Sequence, residues 1–132
     1  MNINKRVVLF SLDQPNKKFT LSSKIEVIYN VESFMHNRQI AFKKVLGSYK
    51  GIVEDSYCAI IDDDTKLDVI FSIAAKHNQE SILVVDEYRK AYLHDVLTGD
   101  VKALGDFKAV DALTAKELDN WTLDGTQYYA VV

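Results

Sequence analysis

The chain has 132 residues, 48% hydrophobic and 27% charged, the size and make-up of one folded domain with its own core. Asp and Glu (19) outnumber Lys and Arg (16), so the net charge of −3 gives no electrostatic footprint for nucleic acid. Cys58 is the lone cysteine, which excludes an internal disulfide and points to a reducing cytoplasm, and no window approaches the roughly 18 apolar residues of a helical membrane span.

In chain order, "RVVLFSL" (6–12) reads as a first strand, and Pro15 in "DQPNKK" ends it with a turn. The apolar run is too short for the core of a signal peptide. Residues 1–20 are expected to be a peripheral arm across a neighbouring subunit, or a loose end. "KIEVIYN" (24–30) alternates Ile25, Val27 and Tyr29 against Glu26 and Ile28, which predicts a strand. Residues 32–46 predict a helix with the stripe Phe34, Ala41, Phe42, Val45 and Leu46, closed by Gly47. Arg38 falls on that stripe; it either snorkels past the core edge or aims a cation into a cleft or subunit surface.

Residues 49–61, "YKGIVEDSYCAII", predict one long or one broken strand, followed by the acidic loop 62–64. Thr65 and Asp68 have capping-box spacing and open a helix over 65–79. That helix is apolar nearly all round, so it needs cover on two sides: a sheet on one, a loop or another subunit on the other. "SILVVD" (81–86) reads as a central strand, and 88–96 with 101–110 as a hairpin around "LTGD". Residues 113–121 allow one or two helical turns, and 126–132 close the chain with a strand. This order predicts an α+β, ferredoxin-like sandwich: one antiparallel sheet with two helices on one face. Its other face would be bare, for which oligomerisation is the economical cover.

The sequence has no phosphate-binding glycine loop, nucleophile elbow or HExxH motif. His36, His77 and His94 lie far apart without metal-ligand spacing, and Cys58 reads as a small buried hydrophobe. "DDDTK" lacks the glycine and distal glutamate of a calcium loop and reads as a helix start. Two groups are left over. One is Tyr49, Gly51 and Glu54; the other is Asn78, Gln79 and Glu80, which lead from a helix into the central strand. Strand ends are where ligands bind in layered folds, although the pattern by itself favours a C-cap by Asn78 with two exposed polar residues for the second group.

At these same residues the sequence resembles the bacteriophage S-adenosylmethionine lyases, formerly called S-adenosylmethionine hydrolases. The matching features are "HNRQ" (36–39), then Y-x-G-x-V-E in Tyr49, Gly51, Val53 and Glu54, and QE-x-x-L-V in Gln79, Glu80, Leu83 and Val84. They continue with Ala91 and Leu93, "LGDFKAV" (104–110), and Thr122 with Asp124 before the last strand. The tyrosine sits one residue farther from the glutamate than in at least one relative, and the segment after Glu54 is shorter, so Tyr57 is the substitute phenol for Tyr49.

The resemblance implies a fold like the trimeric PII signal proteins, with active sites between subunits. It implies conversion of S-adenosylmethionine to 5′-methylthioadenosine and L-homoserine lactone, with no cofactor and no attacking water. The site it implies has Glu54 and Tyr49 as catalytic residues, and Gln79, Glu80, Gly51 and Arg38 as substrate-binding residues. It also implies a role in the host bacterial cytoplasm, where removal of S-adenosylmethionine counters restriction–modification. Two alternatives stand beside the enzyme: a PII-like trimer that binds an adenosyl ligand without chemistry, and a phage protein that binds a host enzyme such as S-adenosylmethionine synthetase.

Overall fold

The computed structural model describes residues 5–13 and 20–132, so the turn expected at Pro15, and the whole of the expected arm except its described residues, lie outside the description. Eight strands run as β1 (Arg6–Ser11), β2 (Phe42–Tyr49), β3 (Ile52–Ile61), β4 (Ser81–Val85), β5 (Lys90–Asp95), β6 (Val101–Val110), β7 (Trp121–Asp124) and β8 (Gln127–Val131). Among the described residues three helices punctuate them: α1 (Leu21–Asn37), α2 (Asp64–Lys76) and α3 (Ala112–Leu118). The strands close into a barrel in the order β1-β3-β2-β7-β8-β6-β5-β4, with every pair antiparallel.

Alternation along the strands sorts the core into two layers. Val7 and Leu9 of β1, Val45 of β2 and Cys58 of β3 pack with Val85, Ala91 and Phe107 in the barrel interior. Val8, Phe10 and Leu12 face the other way, with Tyr57, Ala59 and Ile61, and meet Val31 and Met35 of α1 and Ile70, Ile73 and Ala74 of α2. The β1–β3 wall is therefore apolar on both faces, which is why "VVLF" is a continuous run rather than an alternating one.

The expected two-helix sandwich, ferredoxin-like or PII-like, is thus replaced by a closed barrel with three helices. Residues 24–30 belong to α1, not to a strand. The alternation of Ile25 and Tyr29 misleads because both are exposed, while the buried stripe repeats at helical spacing through Val27, Val31 and Met35. Thr20 caps the helix by accepting the Ser23 N–H at 3.2 Å. The predicted helix over 32–46 stops at Asn37, and Gln39 turns the chain with a φ of 58°. Phe42, Val45 and Leu46, spaced like a helix stripe, divide between the two faces of β2. Gly47 is a strand residue opposite Glu54 rather than a helix stop.

The join between β2 and β3 is a two-residue hairpin turn, Lys50–Gly51, with φ of 51° and 81°. Positive φ at both positions matches the strand twist and makes glycine favourable there. α2 begins one residue earlier than expected, and its cap is Asp63, which accepts the Lys66 N–H at 2.9 Å. Because the sheet closes on itself, the bare sheet face that argued for oligomerisation does not exist. Among the described residues no helix is long and apolar enough to cross a membrane.

Candidate functional site

A cleft of about 290 Å³ opens between α1 and the β2–β3 wall, beside the end of β1. Leu12 and Asp13 form its rim, Lys24, Val27 and Ile28 of α1 one side, and Lys44, Asp55 and Tyr57 the other. Tyr57 is buried, wedged between the rings of Phe10 (centroids 5.5 Å) and Phe42 (5.6 Å). Its hydroxyl donates to Glu32 Oε2 at 2.8 Å, and Lys44 Nζ lies 3.2 Å from the same oxygen. Burial, reinforced by the Glu32 carboxylate, pushes the Tyr57 phenol well above its ordinary range, so it stays protonated. Lys24 Nζ lies between Asp55 Oδ2 at 3.3 Å and Asp13 Oδ1 at 3.8 Å.

Glu54 stands on the other face of β3, one residue from Asp55. The β1–β3 ladder ends at Ser11↔Ser56, whereas the β2–β3 ladder continues to Tyr49↔Ile52. Glu54 therefore sits where β3 runs beyond β1 and is paired on one side only, with β2, which β7 flanks in turn. Burial raises the Glu54 carboxyl above its ordinary value; the polar Ser11 hydroxyl beside it opposes this when its proton turns from Asp55 to Glu54, and the Asp13 charge adds to it. Ser11 Oγ donates to the Asp55 carbonyl at 3.0 Å, and the Asp55 N–H donates to Asp13 Oδ2 at 3.3 Å. The two faces of β3 are thus linked at Ser11 and Asp13.

The other expected site residues separate. Tyr49 is half exposed at the end of β2, with the Lys50 ammonium 5.2 Å from its ring. Gly51 is in the turn with nothing within 4 Å of where a Cβ would stand. Gln79 follows α2 and donates through Nε2 to the Asp13 carbonyl at 2.8 Å, which brings it to the cleft rim. Glu80 accepts the Val96 N–H on its carbonyl at 2.9 Å and leads into β4. Arg38 is the C-cap of α1 and stacks its guanidinium 3.5 Å from the centre of the Phe34 ring. That is the snorkelling alternative, with a cation–π contact added.

Sequence reasoning passed over Asp13, Lys24 and Asp55. Asp13 precedes Pro15 in what reads as a turn, and Lys24 lay in a supposed strand. Asp55 had a signal: the adjacent acids Glu54-Asp55 break the alternation, and the fold places one on each face.

Within the barrel, Lys43 and Asp124 form an ion pair that raises the lysine's pKa, and burial pushes the neighbouring Cys58 thiol up to about 11. A thiol so placed is not a nucleophile at neutral pH. His94 packs against the Phe71 ring at 5.5 Å, and burial holds its pKa below the ordinary value. Among the described residues no three His, Cys, Asp or Glu side chains converge as metal ligands.

A family model described as the S-adenosylmethionine lyase family matches residues 16–132. One similar solved structure is a phage SAM lyase in the apo state, 18% identical, with a TM-score of 0.40 over 75% of this chain and 86% of that chain. Another is a phage SAM lyase in complex with S-methyl-5′-thioadenosine, 17% identical, with a TM-score of 0.39 over 75% of this chain and 86% of that chain. No curated protein matches the chain.

Proposed function

We propose, from the premise that the chain belongs to the S-adenosylmethionine lyase family, that this enzyme converts S-adenosylmethionine to 5′-methylthioadenosine and L-homoserine lactone. The observation that carries this reading is the family match over residues 16–132, a span that contains the cleft apart from its rim residues Leu12 and Asp13. The charge around the cleft agrees with it. Asp13, Asp55, Glu32 and Glu54 stand against Lys24 and Lys44, a balance of two negative charges that suits a cationic ligand. The substrate, with a sulfonium, an ammonium and a carboxylate, carries one positive charge.

The reaction needs little of the protein's own chemistry. The substrate's carboxylate attacks its Cγ, the C–S bond breaks, and the electron pair leaves with sulfur as a neutral thioether. No proton has to be delivered to the leaving group and no cofactor is needed. Holding the folded conformer supplies much of the rate through effective molarity. Carboxylate and sulfonium lose their charges together, so a weakly solvating cleft favours the transition state over the ground state. Glu54 pairs with the α-ammonium, the charge that persists, and so directs the carboxylate. The Tyr57 hydroxyl, by turning its proton from Glu32 to the substrate, or else that of Tyr49, offers a neutral contact that does not hold the carboxylate back, and Gln79 shapes the rim. Gly51 lets backbone approach the ligand, while Glu80 and Arg38 complete its surroundings from outside the cleft.

A cleft of 290 Å³ is at the small end for an adenosyl ligand. Leu21, Ile25 and Tyr29 form an exposed stripe at helical spacing along α1, beside it. Both features support a homotrimer in which a neighbouring subunit completes each site. Acting in the host bacterial cytoplasm, such an enzyme deprives restriction–modification systems of their cofactor.

Incubation with S-adenosylmethionine followed by chromatography tests the activity: methylthioadenosine is expected. Reactions quenched early test the route: lactone ahead of free homoserine is expected, and homoserine first refutes intramolecular attack. A protein that binds the substrate and leaves it intact is instead a binding module. A phage effect that survives loss of Glu54 points to a host enzyme, such as S-adenosylmethionine synthetase, as the target.

A further inference from the structure

We propose that Asp13 is a positioning residue that clamps the Lys24 ammonium against Asp55 and so keeps the cleft's nearest free-swinging cation off the substrate's reacting carboxylate. The inference rests on the lyase reading above.

Asp13 is itself fixed on several sides. Its N–H donates to Ser11 Oγ at 3.0 Å, its carbonyl accepts from Gln79 Nε2 at 2.8 Å, and its Oδ2 accepts the Asp55 N–H at 3.3 Å. The remaining oxygen, Oδ1, faces Lys24 Nζ at 3.8 Å. Lys24 rises from the first turn of α1 and lines the cleft, and its second partner is Asp55 Oδ2 at 3.3 Å. Among the described residues the cleft is lined by one more cation, Lys44, and Glu32 holds it in the same manner at 3.2 Å. Among the described residues, each ammonium that lines the cleft thus has an anionic partner already.

The chemistry gives that arrangement a purpose. The reacting carboxylate is fully charged in the ground state and partly neutralised in the transition state. An unpaired ammonium on it would stabilise the first more than the second and slow the step. Binding would gain what turnover lost.

Asp13→Asn is the test, read on binding as well as on turnover. S-adenosylhomocysteine has the carboxylate but no sulfonium and cannot react, and methylthioadenosine has neither. In the variant, S-adenosylhomocysteine is expected to bind about fivefold tighter, the scale of a half-exposed ion pair, with methylthioadenosine unchanged. kcat for S-adenosylmethionine should fall with KM unchanged or lower. Asp13→Asn/Lys24→Met should return both the affinity and kcat toward wild type, which loss of a merely structural contact would not allow. Unchanged or weaker S-adenosylhomocysteine binding in Asp13→Asn, or no recovery in the double variant, overturns the clamp. Should Asp13→Asn not fold, Asp55→Asn removes the other carboxylate of the clamp from an exposed position, and the same affinity gain is expected. A wild-type protein that yields no methylthioadenosine sinks the lyase reading together with the clamp. An active wild type with the wrong binding pattern sinks the clamp alone.

Discussion

Glu54 and Tyr57 lie three residues apart on one strand and face opposite sides of the barrel wall. Tyr57 packs with the helices, whereas the alternation through Ser56 and Cys58 turns Glu54 to the inner side. β3 runs beyond the last β1 pair at Ser11↔Ser56, so a ligand in contact with both would have to fold around that open edge.

Glu54→Gln removes the charge that pairs with the substrate's ammonium and keeps the shape. A charge-assisted hydrogen bond is worth about 2 kcal/mol, so kcat/KM should fall roughly 30-fold or more, with kcat falling as far as the ammonium contact directs the carboxylate, while the circular dichroism spectrum is unchanged. Retained turnover removes Glu54 from the site.

The same substitution has a pH signature in stability. Burial raises the Glu54 pKa in the folded state, so the folded protein holds this proton more tightly than the unfolded chain. Glu54 thus costs stability as pH rises from its ordinary value of 4.5 through the raised one. Glu54→Gln should therefore gain stability relative to wild type above that window and show no gain below it. Urea midpoints across the range measure the difference, and a gain confined to low pH would contradict the assignment.

The two phenols separate by burial. Tyr57→Phe breaks the 2.8 Å bond to Glu32 and should cost about 1 kcal/mol of stability together with most of the turnover that a cleft hydroxyl provides. Tyr49→Phe changes a half-exposed side chain and should leave stability within about 0.5 kcal/mol. A silent Tyr57→Phe with an inactive Tyr49→Phe would move the site to the hairpin tip.

Gly51 distinguishes a turn requirement from a ligand requirement. At φ 81°, Gly51→Ala should cost about 1 kcal/mol, while Gly51→Asn, which tolerates the left-handed region, should cost less. Turnover lost in a fully stable Gly51→Asn protein would mean that substrate approaches the backbone there.

Much of this site was readable at the level of single residues but not of layers. Gln79 and Glu54 could be singled out because polar residues at strand ends need a reason. The strands β1, β3, β4, β5, β6 and β8 were visible as apolar or alternating runs. What failed was period. Residues 24–30 fit both a strand and a helix, and seven residues do not separate 2.0 from 3.6 once exposed apolar residues such as Ile25 and Tyr29 join the pattern. With α1 misplaced by about three turns, β2 became a helix and the barrel lost the strand that links β3 to β7. Barrel closure is a long-range property of register that no local pattern encodes. Lys24 and Asp13 were missed for the same reason, since their meeting depends on where α1 lies.

Gln79 ties α2 to the cleft rim, and its chemistry is directional. Nε2 donates to the Asp13 carbonyl at 2.8 Å, and Asn78 before it takes a φ of 56° to aim the side chain back. Gln79→Glu keeps the length and turns the donor into a charged acceptor facing a carbonyl oxygen. The carbonyl loses its side-chain donor and the two oxygens repel, which should cost about 2 kcal/mol. Gln79→Met keeps the length without the repulsion and should cost about 1 kcal/mol. Because Asp13 moves with its carbonyl, turnover should fall in the same order, Glu more than Met. Equal losses in the two variants would show that Gln79 contacts the substrate directly and does not act through Asp13.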